Sequence, residues 1–102
     1  MFGLSVRFTL KDEAAADGFD ALVAETLPHI RQSEPGTLVY AVHTVEDKPL
    51  ERIFYELYAD RAAFEAHEEQ PHVKRFLDAR GAFLASADVD FLDLVDAKGV
   101  QE

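Results

Sequence analysis

The spacing of apolar residues changes several times along this chain, and the changes divide it into strands and helices. In residues 2–10 every second residue is apolar, a period of two that is typical of a strand buried on one face. In residues 12–32 the apolar residues recur at intervals of three and four, which predicts a helix with one buried face, kinked at Pro28. The chain therefore begins with a strand and a helix.

The middle of the chain has the pattern of a β-hairpin. Residues 33–36, with the sequence Ser-Glu-Pro-Gly, form a compact breaker after the first helix. Residues 37–45 then alternate, and residues 52–58 are rich in aromatic and β-branched side chains. We expect these two strands to pair through a turn at residues 46–49.

The remaining third of the chain predicts two helical pieces and a last strand. Asp60 suits the N-cap of a helix over residues 61–69, and Pro71 suits the first turn of another helix, with a bend between them. Residues 87–95 mostly alternate and predict a fourth strand. The order β-α-β-β-α-β is that of a ferredoxin-like α+β fold, in which helices cover one face of a four-stranded antiparallel sheet.

The length of 102 residues suits one domain with a single core. We assign residues 1–96 to this domain and expect residues 97–102 to form a loose tail. Bulky residues occur at both parities of the third strand, for example Tyr55 against Phe54. Neither face of the sheet is therefore expected to be fully solvated, and a second copy of the chain is the simplest cover for the helix-free face.

Charge and composition exclude several classes of function. Twenty acidic and ten basic residues give a net charge of -10, which disfavours nucleic acid and anionic membrane surfaces as partners. Without cysteine, the chain can form no disulfide, thiolate metal site or cysteine nucleophile. It also lacks a dinucleotide fingerprint, a Gly-rich phosphate loop and a histidine pair spaced for a metal, so we expect neither cofactor nor metal.

The beginning of the chain carries no pattern of export. Its first residues lack the charged region and the long apolar run of a signal peptide, and no apolar run approaches the ~18 residues of a membrane span. We therefore expect a cytoplasmic protein.

Two segments of the sequence resemble the antibiotic biosynthesis monooxygenase family. They are residues 55–76, YELYADRAAFEAHEEQPHVKRF, and residues 34–40, EPGTLVY. The order of elements is similar over nearly the whole chain. The resemblance implies a dimeric α+β barrel, a homodimer of ferredoxin-like subunits whose sheets meet, with a pocket between each subunit's sheet and helices. Family members oxygenate quinols or polycyclic aromatics without a cofactor, degrade haem, or isomerise small phosphorylated sugars, so the fold does not fix the reaction.

Two histidines and one glutamate are the candidate catalytic residues. His67 and His72 match family positions, and an imidazole is the side chain best suited to act as a base near neutral pH. Their spacing of five, interrupted by a proline, does not place them on one helical face, and either could instead cap or pack at the bend. Glu56 also matches the family and could accept a proton or orient a histidine. Its structural alternative is a hydrogen bond or ion pair with Arg7 or Arg52.

Five aromatic residues are candidates for holding a flat substrate ring. Aromatic side chains stack, and tyrosine hydroxyls can donate a hydrogen bond to a phenolate oxygen. The candidates are Tyr40, Tyr55, Tyr58, Phe64 and Phe76. The alternative for each of them is a place in the core.

These observations predict a cofactor-independent monooxygenase that oxidises a small aromatic substrate, a quinol or a polyphenol, with O2. The chain contains no tryptophan and no asparagine, residue types on which the haem-degrading members and the anthrone oxygenases rely in their pockets. Both subtypes are therefore disfavoured. Two alternatives remain open: an isomerase or other proton-transfer enzyme acting on a small polar substrate, and a non-catalytic dimeric binding module.

Overall fold

The computed structural model describes residues 1–100. Its elements are β1 (Phe2–Leu10), α1 (Glu13–Ser33), β2 (Thr37–Val45), β3 (Lys48–Tyr58), α2 (Arg61–Glu69), α3 (Pro71–Arg80) and β4 (Leu84–Asp93). This order confirms the predicted βαββαβ succession, with the second helix in two pieces. Of the predicted loose tail over 97–102, residues 97–100 form no helix or strand, and residues 101 and 102 lie outside the described residues.

The four strands form one antiparallel sheet in the order β2-β3-β1-β4. This topology is that of the predicted ferredoxin-like fold. The register aligns Tyr40 of β2 with Glu56 of β3, Glu56 with Leu4 of β1, and Leu4 with Phe91 of β4. Because directly paired residues point to the same side of a sheet, these four side chains form a row on the face that the helices cover.

The core lies between this face and the helices, and phenylalanine rings dominate its centre. The ring of Phe8 lies 4.8 Å from that of Phe54 and 5.2 Å from that of Phe19, centroid to centroid, and Phe19 lies 5.9 Å from Phe76. All four side chains are buried. Strands β1 and β3 and helices α1 and α3 therefore meet in a single apolar cluster.

Local capping explains where the helices begin. The Asp12 carboxylate accepts a hydrogen bond from the backbone N–H of Ala15, and the Asp60 carboxylate accepts one from the backbone N–H of Ala63, each at 2.8 Å. Pro71 occupies the first turn of α3, where a missing N–H removes no helical hydrogen bond. The predicted cap at Asp60 and the predicted bend before Pro71 are thus present, and Asp12 is a further cap that the sequence analysis did not name.

Two strands differ in extent from the prediction. The hairpin turn is shorter than residues 46–49, because Asp47 takes a left-handed conformation (φ 63°) and lets β3 begin at Lys48. Pro49 can lie in β3 because β1 pairs with β3 only as far as Glu51, so the missing N–H breaks no bond to β1. The last strand, β4, begins at Leu84, earlier than predicted. The register of its pairing with β1 shifts between Thr9 and Leu10, so that Leu10 still pairs with Leu84.

The helix-free face of the sheet also carries bulky side chains. Ile53, Tyr55 and Leu57 of β3 alternate with the helix-facing residues and therefore lie on this face. Leu57 is buried, and Ile53 and Tyr55 are half-buried. Neither face of the central strand is fully solvated, as the sequence predicts.

Candidate active site

A cavity of about 130 Å³ lies between the sheet and helices α2 and α3. Its walls are mostly apolar, formed by Leu4, Val6, Phe8, Phe54, Phe64, Val73, Phe76, Leu77, Val89 and Phe91. Its polar lining consists of Tyr40, Glu56, His67, Glu68 and Arg80. The exposed side chains of Val89 and Phe91 place its open side at β4. This apolar cavity is suited to about one aromatic ring, since an engineered apolar cavity of roughly 150 Å³ binds benzene.

Glu34 forms the cap at the C-terminal end of α1 and is buried between two histidines. Its Oε1 atom lies 2.5 Å from Nδ1 of His67, and its Oε2 atom lies 2.5 Å from Nε2 of His72. The Thr37 hydroxyl donates a third hydrogen bond to Oε1, at 2.7 Å. Because a carboxylate accepts, each imidazole donates to it, and a neutral His67 ring then carries its lone pair on Nε2.

Glu56 lies on the other side of the His67 ring. Its Oε1 atom is 4.0 Å from Nε2 of His67 and accepts a hydrogen bond from the Tyr58 hydroxyl at 2.5 Å. Burial raises the pKa of Glu56 to about 7, the Tyr58 hydrogen bond opposes this rise, and the negative charge of Glu34 adds to it. Glu56 therefore changes its charge near neutral pH, beside the free nitrogen of His67.

Tyr40 and Arg80 complete the polar part of the apolar cavity. Burial, followed by the negative charges of Glu56 and Glu34, holds the pKa of Tyr40 well above its ordinary value, so its hydroxyl keeps its hydrogen and can donate. Arg80 places its guanidinium 5.6 Å from the Phe8 ring. None of the ion pairs within residues 1–100 includes Arg80, so its charge is available to an anion in the cavity.

A second, more open feature lies between α1 and α3. This polar depression of about 460 Å³ is lined by Glu25, Thr26, His29, Ser33, Gln70, Pro71, His72 and Arg75. The His72 ring stacks on the exposed His29 ring, with centroids 5.4 Å apart and planes 19° apart. Glu34 thus lies between the apolar cavity and the polar depression, bonded to one histidine on each side.

The structure brings together most of the residues that the sequence selects. Glu56 and His67 border the apolar cavity, as do Tyr40, Phe64 and Phe76. His72 lines the polar depression instead, and contacts Glu34 from there.

Two of the selected tyrosines do not line the apolar cavity. Tyr58 is fully buried and binds Glu56 from behind it. The prediction that Tyr55 holds the substrate ring is corrected, because Tyr55 lies on the helix-free face, on the opposite side of the sheet from the apolar cavity. Their separation of three positions in one strand places them on opposite faces.

The arginine partners considered for Glu56 are also corrected. Arg7 pairs with Glu51, and Arg52 forms two hydrogen bonds of 2.9 Å with Asp20. Both arginines lie nearer the hairpin end of the sheet, where Glu51 of β3 is within reach of Arg7 and Asp20 of α1 is within reach of Arg52. The polar neighbours of Glu56 are therefore Tyr58 and His67.

Sequence reasoning missed Glu34 and Arg80. A glutamate at the C-terminal end of a helix lies at the negative end of the helix dipole, so its presence there indicates a compensating cation or donor elsewhere. That pattern could have selected Glu34. Arg80 lies in the last turn of α3, where a basic residue is favourable in any helix, so nothing in the sequence distinguished it.

Within residues 1–100, no group of three or more histidine or acidic side chains is placed to hold a metal ion. The Glu34 oxygens already accept hydrogen bonds from both nearby imidazoles, which occupies the atoms that would otherwise be ligands. In the same part of the chain, no helix combines the length and apolarity needed to cross a membrane.

The fold and site define a class of protein, the ferredoxin-like α+β proteins with a cavity between sheet and helices. A family model described as antibiotic biosynthesis monooxygenase matches residues 1–79. The chain belongs to this family, as its resemblance indicates. No curated protein sequence matches the chain.

Solved structures share this fold closely. An antibiotic biosynthesis monooxygenase is 25% identical with a TM-score of 0.83, over 94% of this chain and 100% of that one. A Caulobacter crescentus protein assigned to the same class is 24% identical with a TM-score of 0.86, over 93% and 90% of the two chains. A Mycobacterium tuberculosis protein is 24% identical with a TM-score of 0.85, over 94% and 96%. The last two likenesses concern the fold alone.

Proposed function

We propose that the protein is a cofactor-independent monooxygenase that oxidises a quinol or a polyphenolic aromatic compound with O2. One observation carries the proposal: Nε2 of His67 and Oε1 of Glu56 lie 4.0 Å apart at the wall of an apolar cavity the size of one ring. A substrate hydroxyl oxygen can lie about 2.8 Å from both atoms at once. A proton acceptor thus lies at the wall of an apolar cavity that can hold one aromatic ring.

The apolar cavity supplies the contacts that a phenolic ring requires. Phe64 and Phe76 offer aromatic faces for the ring. The protonated Tyr40 hydroxyl and the Arg80 guanidinium offer a hydrogen bond and a positive charge to an oxygen anion. Such groups stabilise a phenolate more than a phenol, so they favour ionisation of the bound substrate.

His67 acts as the base in this scheme. Its Nε2 atom takes the hydroxyl proton of the substrate, while Glu34 holds Nδ1–H and stabilises the imidazolium that forms. The arrangement is that of a base held in one tautomer by a buried carboxylate. Positioned general bases of this kind contribute about 10²- to 10⁴-fold to a rate.

The oxidation itself needs no electron donor besides the substrate. The ionised quinol gives one electron to O2, and the semiquinone and superoxide radicals combine to form a C–O bond at a ring carbon. The O–O bond then breaks, one oxygen atom staying on the ring and the other leaving as water. A quinol and O2 thus give a hydroxyquinone and water, and the quinol supplies all four electrons that O2 accepts.

Oxygen uptake tests this proposal. Chelator-treated protein is mixed with a panel of hydroquinones and naphthoquinols, and uptake is compared with autoxidation, with His67→Asn and with His29→Asn. His29 lies exposed on α1, outside the apolar cavity and away from the helix-free face, so it is a matched control for the same substitution. We expect acceleration that His67→Asn abolishes and His29→Asn retains. Uptake no faster than autoxidation overturns the proposal, and turnover that persists without O2 indicates the proton-transfer enzyme instead.

We also propose that the working form is a homodimer in which a second copy covers the helix-free face. The half-buried Ile53 and Tyr55 at the centre of that face support this assembly. Sedimentation equilibrium should give the mass of a dimer, and Tyr55→Glu should shift it toward the monomer. A monomeric wild-type protein at micromolar concentration would contradict the assembly.

A further inference from the structure

We propose that Arg80 binds a carboxylate on the substrate ring, so that the preferred substrate is an aromatic acid whose reacting hydroxyl lies beside His67. The inference deepens the proposed function and rests on it for the reaction, although the binding of an aromatic acid can be measured without turnover. The observation behind it is a guanidinium that lines the apolar cavity and has no ion-pair partner within residues 1–100.

Arg80 differs in this respect from three other arginines of the chain. Each of the three forms an ion pair with a carboxylate: Arg7 with Glu51, Arg52 with Asp20, and Arg75 with Glu25. Acidic residues outnumber basic ones by twenty to ten, so carboxylates are plentiful. Arg80 is half-buried at the cavity, where no carboxylate of the described chain neutralises it. An anionic group on a ligand would supply the missing partner.

Arg80 and His67 lie at opposite ends of the apolar cavity. Strand β1 lines the cavity from Leu4 to Phe8. Leu4 pairs with Glu56, which is the neighbour of His67. The guanidinium of Arg80 instead lies 5.6 Å from the centre of the Phe8 ring. Leu4 and Phe8 are about 13 Å apart along the strand, at roughly 3.3 Å per residue. A single ring that contacts both ends therefore needs a polar group at each end.

Helix α3 gives the same separation of the two ends. His72, in its first turn, contacts Glu34 beside His67. Arg80, in its last turn, lies eight residues further along, or about 12 Å at roughly 1.5 Å per residue. The helix and the strand thus both extend from the histidine end of the cavity to the arginine end.

Charge decides which end of the cavity holds the acid group. Glu34 and Glu56 lie on either side of the His67 ring, and Glu68 follows His67 in α2. A ligand carboxylate at that end would be repelled by these side chains, whereas Arg80 offers positive charge at the other end. The acid group is therefore directed to Arg80, and this leaves the hydroxyl of the ring at His67.

A carboxylate suits the guanidinium better than a second neutral hydroxyl does. A guanidinium presents parallel N–H donors, and a carboxylate can accept them on both of its oxygens. A neutral group would leave the positive charge unpaired beside the apolar walls of the cavity. Because the acid group lies away from the reacting hydroxyl, its contact with Arg80 should act mainly on binding and thus on KM.

The first test measures binding without turnover. The ligands para-hydroxybenzoate and para-hydroxybenzamide have nearly the same shape, differ by one charge, and are not quinols. Their dissociation constants are measured by calorimetry in the wild type, Arg80→Gln and Arg75→Gln. Arg75 is the matched control, because it lies exposed in the same helix, lines the polar depression instead, and its substitution changes the net charge equally.

We expect the wild type and Arg75→Gln to bind the acid at least tenfold more tightly than the amide, and Arg80→Gln to reduce this preference to less than twofold. The preference compares two ligands in one variant, so partial unfolding of that variant does not imitate its loss. Equal affinities in the wild type, no binding of either ligand, or a preference that survives in Arg80→Gln overturns the proposal.

The second test follows the reaction with a carboxylated hydroquinone and its carboxamide. Oxygen uptake is corrected for the autoxidation of each compound. In the wild type, kcat/KM should favour the acid at least tenfold, mainly through a lower KM, and Arg80→Gln should remove this preference. Equal values of kcat/KM in an active wild type would overturn the carboxylate site. If the wild type accelerates the oxidation of no quinol, the proposed function fails, and the binding preference decides on Arg80 alone.

Discussion

His67 and His72 share a hydrogen-bond partner, Glu34, but they differ in what lies beyond them. The free nitrogen of His67 faces an apolar cavity the size of one ring, with Glu56 4.0 Å away. His72 borders an open depression, where a ring would remain in contact with water. The same histidine–carboxylate contact thus borders an enclosed apolar space on one side and an open polar depression on the other. The surroundings, rather than the contact itself, distinguish the two histidines.

The largest difference between the two sides should appear when His67 is replaced. Asparagine at position 67 keeps a donor in the place of Nδ1 and removes the free Nε2, so Glu34 stays satisfied while the base is lost. We expect kcat for oxygen uptake to fall by about 10²- to 10⁴-fold, or roughly 3 to 5 kcal/mol in barrier, with little change in stability. An effect equal to that of His72→Gln would remove the distinction between the two histidines.

The charge of Glu56 should make the free energy of unfolding depend on pH. This effect arises at the apolar cavity and not at the polar depression, because Glu56 borders only the cavity. Its folded-state pKa of about 7 lies above the ordinary value of 4.5, so between these values the folded protein holds a proton that the unfolded chain has released. Wild-type stability should therefore fall as pH rises from 5 to 8.

The variant Glu56→Gln should lack this dependence. Relative to it, the wild type should lose up to roughly 3 kcal/mol in free energy of unfolding by pH 8, measured by urea titration at each pH. Glu65→Gln, at an exposed position of α2, is the control and should keep the wild-type slope, because the charge of Glu65 is not among those that raise the pKa of Glu56. Parallel pH profiles for wild type and Glu56→Gln would contradict the raised pKa.

The loop that carries Glu34 should be sensitive to a methyl group added at Gly36. Displacing this loop should affect the contacts of Glu34 with both His67 and His72. A Cβ atom added at Gly36 would lie 2.7 Å from Cβ of Ala63, too close for either to stay in place. We expect Gly36→Ala to cost about 1 to 3 kcal/mol and to weaken both histidine contacts. The double variant Gly36→Ala/Ala63→Gly should recover part of this loss in a double-mutant cycle. Strictly additive losses would show that the close approach does not position the loop.

The smallest effect is expected at the rim of the polar depression. Arg75 and Glu25 form an ion pair whose side chains are 64% and 53% exposed, a kind of pair that contributes about 0 to 1 kcal/mol. Arg75→Gln should leave thermal stability and oxygen uptake within error of the wild type. A tenfold rise in KM would instead place substrate in the depression and break the contrast between the two openings.

Signals local in sequence predicted most of the fold. The Asp60 cap and Pro71 located the bend between α2 and α3, because capping and proline geometry act within one helical turn. The family resemblance selected His67 and Glu56, which the structure places together. Strand parity could have separated Tyr55 from Tyr58, since side chains three positions apart in a strand point to opposite faces.

The sequence by itself determined the succession of strands and helices and the apolar face of each, because hydrophobic period, caps and breakers depend on near neighbours. Only the tertiary structure decided which polar groups meet. Glu34, at the C-terminal end of α1, contacts histidines 33 and 38 positions away, one in α2 and one in α3. Such a contact depends on strand register and on the way helices pack over the sheet, which no local pattern in the sequence specifies.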